Sequence, residues 1–367
     1  MAKVRVLIVD DSVTIRRMLT DGLSADPDIE VVGSAANGRI ALQKILQTPP
    51  DIVTLDVEMP EMDGLETLRA IRKEHPTLPV VMFSSLTERG GTVTLDALSA
   101  GATDYFAKPS SSGGVGDALR VIRDDVAPRL KGLVKRHGVT SRPPPKPAPR
   151  PAAAAAPPIV KPPTRGEIIA IGCSTGGPNA LADVLRSFPS NLSVPVVITQ
   201  HMPPLFTKLL AQRLDASTPL RVREAAEGDL LEPGLALIAP GDWHMTFRKE
   251  GTKVRVQLDQ KPPENSCRPA VDPMFTSIAA IYGARTVAAV LTGMGQDGMR
   301  GSELIAAAGG YVVAQDEPTS VVWGMPGAVV RAGVASNVLP LPLIARDLVS
   351  HVSKSFGATL ESPHADP

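Results

Sequence analysis

The sequence predicts two α/β units in series, each a mainly parallel sheet wrapped by helices, the second carrying a small antiparallel hairpin. Three observations predict it. Short apolar runs alternate with segments of helical period along most of the chain, and parallel strands need such helical crossovers. Residues 138–164, "GVTSRPPPKPAPRPAAAAAPPIVKPPT", interrupt that alternation with a Pro/Ala tract that cannot bury a core and should form a semi-rigid polyproline spacer. The chain is 43% hydrophobic but only 3% aromatic, so its cores rest on Val, Leu, Ile and Ala, a composition suited to buried parallel strands.

The first unit reads in order as strand 4–9 ending in Asp10-Asp11, helix 12–23 with Ser12 as N-cap, strand 29–35 and helix 39–46. Strand 51–56 ends in Asp56, and helix 65–72 follows. Strand 80–85 ends in Ser84-Ser85, helix 92–100 follows, and strand 104–109 ends in Lys108-Pro109 before a last helix from about residue 115. The second unit has strands at 167–172, 194–199, 220–225, 235–239, 286–291 and 311–315. Its helices fall at 177–186, 205–214, 273–283, 299–308 and 341–352, and 243–258 alternates around "KEGT" as a hairpin.

At 367 residues a two-domain chain is expected. Lys+Arg and Asp+Glu balance at 38 each, which argues against a nucleic-acid binder. No apolar run approaches the roughly 20 residues of a membrane span, and "MAKVRVLIVDD" enters a strand without a signal-peptide pattern. Cys173 and Cys267 are too few for a disulfide framework or a zinc site. A soluble, cytoplasmic protein without membrane insertion is expected.

In open α/β sheets ligands bind at the carboxyl ends of strands. In the first unit Asp10, Asp11 and Asp56 should converge there, and three carboxylates need a hard cation such as Mg²⁺. Lys108 and the Ser84 hydroxyl would then orient an added phosphoryl group. Through "VDDS", "LDVEMPEMDG", "MFSS" and "GATDYFAKP", residues 3–123 resemble the receiver domain of bacterial response regulators, a flavodoxin-like five-stranded fold. That resemblance implies Asp56 as phospho-acceptor and Mg²⁺ held by Asp10, Asp11, Asp56 and the Glu58 carbonyl. It also implies Ser84 and Lys108 as phosphoryl contacts and Tyr105 as the switch aromatic.

The second unit opens with "IGCSTGGPNAL" (171–181), a strand-to-helix turn that could cradle a phosphate or present Ser174 as a nucleophile. It has no lysine and matches neither the Walker pattern nor GxGxxG, which weakens the first reading. For a base, His201 directly follows a strand on the same sheet edge and is favoured over His244 at the hairpin start. For an orienting acid, Asp297 in a Gly-rich turn competes with Asp316 and with Asp272, which also reads as a helix N-cap before Pro273. The order Ser–His–Asp and the missing GxSxG exclude the α/β-hydrolase pattern, though triads are defined by geometry.

The motifs "GCSTGGP", "QHMPPLFTKLLAQRL", "EGDLLEPGLALIAPGDWHM", "CRPAVDPMF" and "VLTGMGQDGMRG" resemble the chemotaxis protein-glutamate methylesterases over about residues 166–352. The resemblance implies Ser174 as nucleophile, His201 as general base and acid, and Asp297 as its partner. Thr175, Gly176 and Met294 should lie in the site, with backbone N–H groups forming an oxyanion hole. It further implies demethylation of glutamyl methyl esters and deamidation of glutamines on chemoreceptor helices, with a histidine kinase as phosphodonor and no cofactor for hydrolysis. The unphosphorylated receiver should cap the site. The expected domains are a receiver (1–123), a helical end and linker (124–165), the esterase (166–353) and a tail (354–367). A DNA-binding regulator and an inactive scaffold are the competing classes, disfavoured by the α/β output unit and the intact triad.

Overall fold

The structure, a computed structural model, describes residues 3–85, 87–108, 114–137 and 165–352. The polyproline reading, the tail and Pro109 lie outside the described residues.

The first unit is a five-stranded parallel sheet, β1 (Val4–Val9), β2 (Ile29–Ala35), β3 (Ile52–Asp56), β4 (Val80–Ser84) and β5 (Asp104–Ala107), in the order β2-β1-β3-β4-β5. Its crossovers are α1 (Val13–Ser24), α2 (Gly38–Gln47), α3 (Gly64–Glu74) and α4 (Glu88–Ser99). The caps follow the sequence: the Ile15 N–H donates to Ser12 Oγ, and Asp63 and Glu66 form a capping box on α3. The last helix runs further than a receiver needs. Helix α5 (Gly114–Val121) passes through a π turn (Ile122–Val126) into α6 (Ala127–His137). Pro128 has no N–H to give the preceding turn, and that turn opens into the wider π form just ahead of it.

In the second unit, seven parallel strands run in the order β14-β13-β12-β6-β7-β9-β8. These are β6 (Ile168–Cys173), β7 (Val196–Gln200), β8 (Arg221–Glu224), β9 (Leu235–Ile238), β12 (Thr286–Val290), β13 (Tyr311–Gln315) and β14 (Asn337–Leu339). The helices are α7 (Gly177–Arg186), α8 (Phe206–Ser217), α9 (Val271–Tyr282), α10 (Met299–Ala307), α11 (Met325–Arg331) and α12 (Leu341–Val352). The hairpin β10 (His244–Glu250) and β11 (Lys253–Asp259) forms a separate antiparallel sheet. Helix α11 and strand β14 escaped the sequence reading because each is short, seven and three residues. Asp272 is not the N-cap of α9; Ala270 is, and α9 starts at Val271, which leaves the Asp272 carboxylate for other partners.

The two units pack directly on each other. Helix α4 of the first lies against α7 and α8 of the second. The Tyr105 and Phe206 rings stack across the boundary with centroids 5.0 Å apart. Asn179 donates to the Leu98 carbonyl, and Arg213 reaches Asp96 and the Ser99 hydroxyl.

Candidate active site

Strands β12, β6 and β7 are neighbours, and the chain changes direction across the sheet at β6. A crevice opens there beyond the strand ends. Ser174 follows β6, His201 follows β7, and Asp297 lies in the loop after β12, so the three come from adjacent strands on one edge.

His201 Nε2 lies 2.7 Å from Asp297 Oδ2. A carboxylate only accepts, so Nε2 carries a proton, and in the neutral imidazole the lone pair sits on Nδ1. That nitrogen faces the Cys267 thiol, Sγ to Nδ1 3.4 Å. Burial opposes charge on the ring, but hydrogen bonding to Asp297 and Cys267 outweighs it and carries the imidazole up to about 9. Asp297 is 1% exposed. Its Oδ2 also accepts the Val271 N–H, and its Oδ1 accepts from the Asp272 and Gly298 N–H groups. Burial would raise its pKa, yet His201 and these donors hold it below the ordinary carboxylate value.

The Ser174 hydroxyl makes no hydrogen bond among the described residues, so the serine and the imidazole stand on one edge without being joined. The backbone around it is tightly fixed: Ser174 N–H donates to the Thr292 carbonyl, and its own carbonyl accepts from Gly177 N–H and Gln200 Nε2. The N–H groups of Thr175, Gly176 and Met294 donate to no other group among the described residues. Gly176 sits at φ +76°, a left-handed conformation that turns the chain into α7, and a Cβ there would collide with Val321.

His244 is excluded as a base. Its Nδ1 accepts the Ala270 N–H and its Nε2 donates to the Pro262 carbonyl, so it pins residues 260–270 from below. Asp316 caps the Thr319 turn instead of meeting a histidine. The sequence reading missed Cys267 and Asn265, both on that pinned segment. The only signal was their place in or beside "CRPAVDPMF".

The first unit covers this edge. Thr175 Oγ1 donates to Asp104 Oδ2 at 3.1 Å, and Asp104 is held from behind by Arg129 at 2.9 Å. Helix α6 brings Gly132 against the Met294 side chain. What remains is a cleft of about 310 Å³ between the units, lined by His201, Cys267 and Arg268 on one wall and Tyr105, Val126 and Arg129 on the other.

At the carboxyl edge of the first sheet, Asp10, Asp11 and Asp56 present one oxygen each within 4.8 Å of one another. Lys108 Nζ sits 3.0 Å from Asp10 and 2.7 Å from Asp56. Burial pushes Asp56 up to about 6, helped by Asp10 and opposed by Lys108. An all-oxygen set of three carboxylates fits Mg²⁺. Asp11 is exposed, Glu58 donates its N–H to Asp56, and Ser84 is buried with its hydroxyl given to the Ser85 carbonyl instead of Asp56.

A family model described as CheB methylesterase matches residues 169–348, and one described as response regulator receiver domain matches residues 6–120. Similar proteins run the full length of the chain. One from a Nocardioides species is 51% identical over 96% of this chain and 97% of its own, and one from Trichodesmium erythraeum is 48% identical over 96% and 100%. One from Pyrococcus abyssi is 42% identical over 97% and 95%. All three are named protein-glutamate methylesterase/protein-glutamine glutaminase. The crystal structure of the Thermotoga maritima CheB methylesterase catalytic domain superposes with a TM-score of 0.50 at 44% identity, covering 50% of this chain and 98% of that one.

Proposed function

The chain belongs to the CheB methylesterase family, a protein-glutamate methylesterase and protein-glutamine glutaminase behind a receiver domain, and we propose that it works as a Ser174–His201–Asp297 serine hydrolase held shut by its unphosphorylated receiver. The observation that carries this reading is the alignment of Ser174, His201 and Asp297 on three adjacent strand ends beside unpaired N–H groups.

His201 Nδ1 takes the Ser174 proton as Oγ attacks the γ-carbonyl carbon of a glutamyl methyl ester on a chemoreceptor helix. The N–H groups of Thr175, Gly176 and Met294 receive the oxyanion. Nδ1 then returns its proton to the departing methoxide, and methanol leaves an acyl-enzyme. A water molecule gives a proton to Nδ1 and attacks the acyl carbon, and Nδ1 returns that proton to Ser174 Oγ as the carboxylate is released. With a glutamine substrate the leaving group is ammonia and the remaining steps are the same. Asp297 holds the ring and offsets the imidazolium charge in both halves.

A receptor helix is about 10–12 Å across and cannot enter a 310 Å³ cleft, so the receiver must move away. Phosphorylation of Asp56 by a histidine kinase replaces a carboxylate of one charge with an acyl phosphate of about two beside Lys108, and biases the surface that carries Tyr105 and Asp104. Bound Mg²⁺, held by Asp10, Asp11, Asp56 and the Glu58 carbonyl, would supply the positive charge that phosphoryl transfer needs. A cytoplasmic setting suits a substrate on receptor helices; among the described residues no helix is long and apolar enough to cross a membrane.

Methanol release from methylated receptor tests the assignment. Ser174→Ala should abolish it and Asp56→Asn should remove the response to a phosphodonor. Full activity in the first variant, or undiminished stimulation in the second, would sink the corresponding half.

A further inference from the structure

The motif beside Cys267 holds an arrangement that the triad alone does not explain. Asn265 Nδ2 lies 3.0 Å from Asp297 Oδ1 and 3.0 Å from Asp272 Oδ2. One amide nitrogen therefore gives its two hydrogens to two different carboxylates. Asp272 is 4% exposed, and its other oxygen accepts the Gly301 N–H on α10 at 2.8 Å.

We propose that Asn265 is a positioning residue for the esterase: by bridging Asp272 and Asp297 it keeps two buried, adjacent carboxylates from sharing a proton, and so keeps Asp297 ionised toward His201. This inference rests on the triad reading and specifies how that triad is kept charged.

The argument is one of donor count. Asp297 accepts from His201, Asn265 and three backbone N–H groups, whereas Asp272 accepts from Asn265 and Gly301 alone. Two carboxylates in contact in a dry site cannot both ionise freely, and the proton settles on the one with fewer donors. The directions agree: burial, reinforced by the Asp297 charge, brings Asp272 up to about 6, while Asp297 is depressed. Asp272 thus takes up the proton that would otherwise reach Asp297. The other groups around the pair are His201 after β7 and Cys267 beyond its ring. Tyr105, Asp125 and Arg129 of the receiver line the cleft past that ring. Of these groups only His201 donates to either carboxylate, and it donates to Asp297. Asn265 also sits at φ +51°, a conformation that asparagine tolerates better than most residues.

The test is the pH profile of kcat/KM for methanol release from methylated receptor, using the full chain with acetyl phosphate and Mg²⁺. Asn265→Gly removes the amide and accepts the backbone conformation. Its acid limb reports the first proton taken up by the His201–Asp297 pair, and it should move up by about one pH unit, because the amide no longer stabilises the pair's anionic form against that proton. Adding Asp272→Asn should bring the limb back, because an amide there removes the like charge and can itself donate to Asp297. A limb that does not move in Asn265→Gly, or moves and is not restored in the double variant, overturns the proposal. If Asn265→Gly does not fold by thermal melting, Asp272→Asn alone decides: a limb moved to lower pH supports the bridge and an unmoved limb overturns it. Asp297→Asn and Ser174→Ala are measured in parallel. Full activity in either overturns the triad reading itself, whereas loss in both with an unmoved Asn265→Gly limb overturns only this inference.

Discussion

Thr175, the residue after the proposed nucleophile, donates its hydroxyl to Asp104 of the receiver at 3.1 Å, and both side chains are buried. Asp104 begins β5 and precedes Tyr105, whose ring stacks on Phe206. A single hydrogen bond therefore joins β5 of the receiver to the turn that would hold the oxyanion.

Asp104→Ala should raise activity without a phosphodonor about tenfold or more. A hydrogen bond to a charged acceptor contributes roughly 1.5–3 kcal/mol, and each 1.4 kcal/mol in the closed–open balance is a factor of ten. Arg213→Ala, which breaks a more exposed contact to Asp96, should raise it less than about fivefold, since such pairs contribute roughly 0.2–1 kcal/mol. Basal methanol release, compared with the phosphodonor-stimulated rate, checks both. Equal effects from the two variants would remove Asp104 from its special place.

Cys267 Sγ lies 3.4 Å from His201 Nδ1, whereas the Ser174 hydroxyl makes no hydrogen bond to the ring, so the thiol could be mistaken for the nucleophile. The unpaired N–H groups lie beside Ser174, however, and the two cysteine and serine variants should behave oppositely. Ser174→Ala should be inactive. Cys267→Ala should remain active, with the acid limb of kcat/KM moved to lower pH, because one of the two groups that raise the imidazole is gone. An inactive Cys267→Ala that still folds would reverse the assignment.

The receiver offers a test of its metal site. Burial raises Asp56 to about 6, above its unfolded value, so the metal-free receiver is penalised as pH climbs from about 4 through 6 and the carboxylate ionises. Mg²⁺ held by Asp56 would bind its ionised form and cancel that penalty. The rise in melting temperature on adding Mg²⁺ should be larger at pH 7.5 than at pH 5.5, and it should vanish in Asp56→Ala. An equal rise at both pH values would remove Asp56 from the metal set.

Much of this was legible in the chain because parallel sheets advertise themselves. β1 before Asp10 and the strands ending at Asp56, Cys173 and Gln200 are mostly apolar runs, and the sheet order then fixes which ends meet. Ser174 and His201 could be read because each directly follows a strand, and Asp297 because its Gly-rich turn follows β12 on the same edge. Asn265, Cys267 and the partners of the Asp272 carboxylate could not. They depend on a segment with no period, pinned by His244 and by the ion pair of Arg268 with Asp242. The Asp104–Thr175 contact was hidden for a different reason: it arises from docking two separately folded units, and no local pattern encodes it.

Gly293 brings the backbone close to the proposed nucleophile, and it gives the most local prediction. Its N–H donates to the Val322 carbonyl, its carbonyl accepts from Gly324 and Met325, and a Cβ there would lie 2.9 Å from the Ser174 Cβ. The same Cβ would also run into the Met325 sulfur. Gly293→Ala must therefore push the Ser174 turn and the Met294 N–H apart, and overpacking of this kind costs about 1–3 kcal/mol of stability. Loss of one oxyanion donor lowers kcat by about 10²–10³-fold, so activity should fall by far more than folding does. Melting temperature and kcat measured on the same preparation separate the two. A variant that loses stability but keeps its kcat would show that the Met294 N–H takes no part in holding the oxyanion.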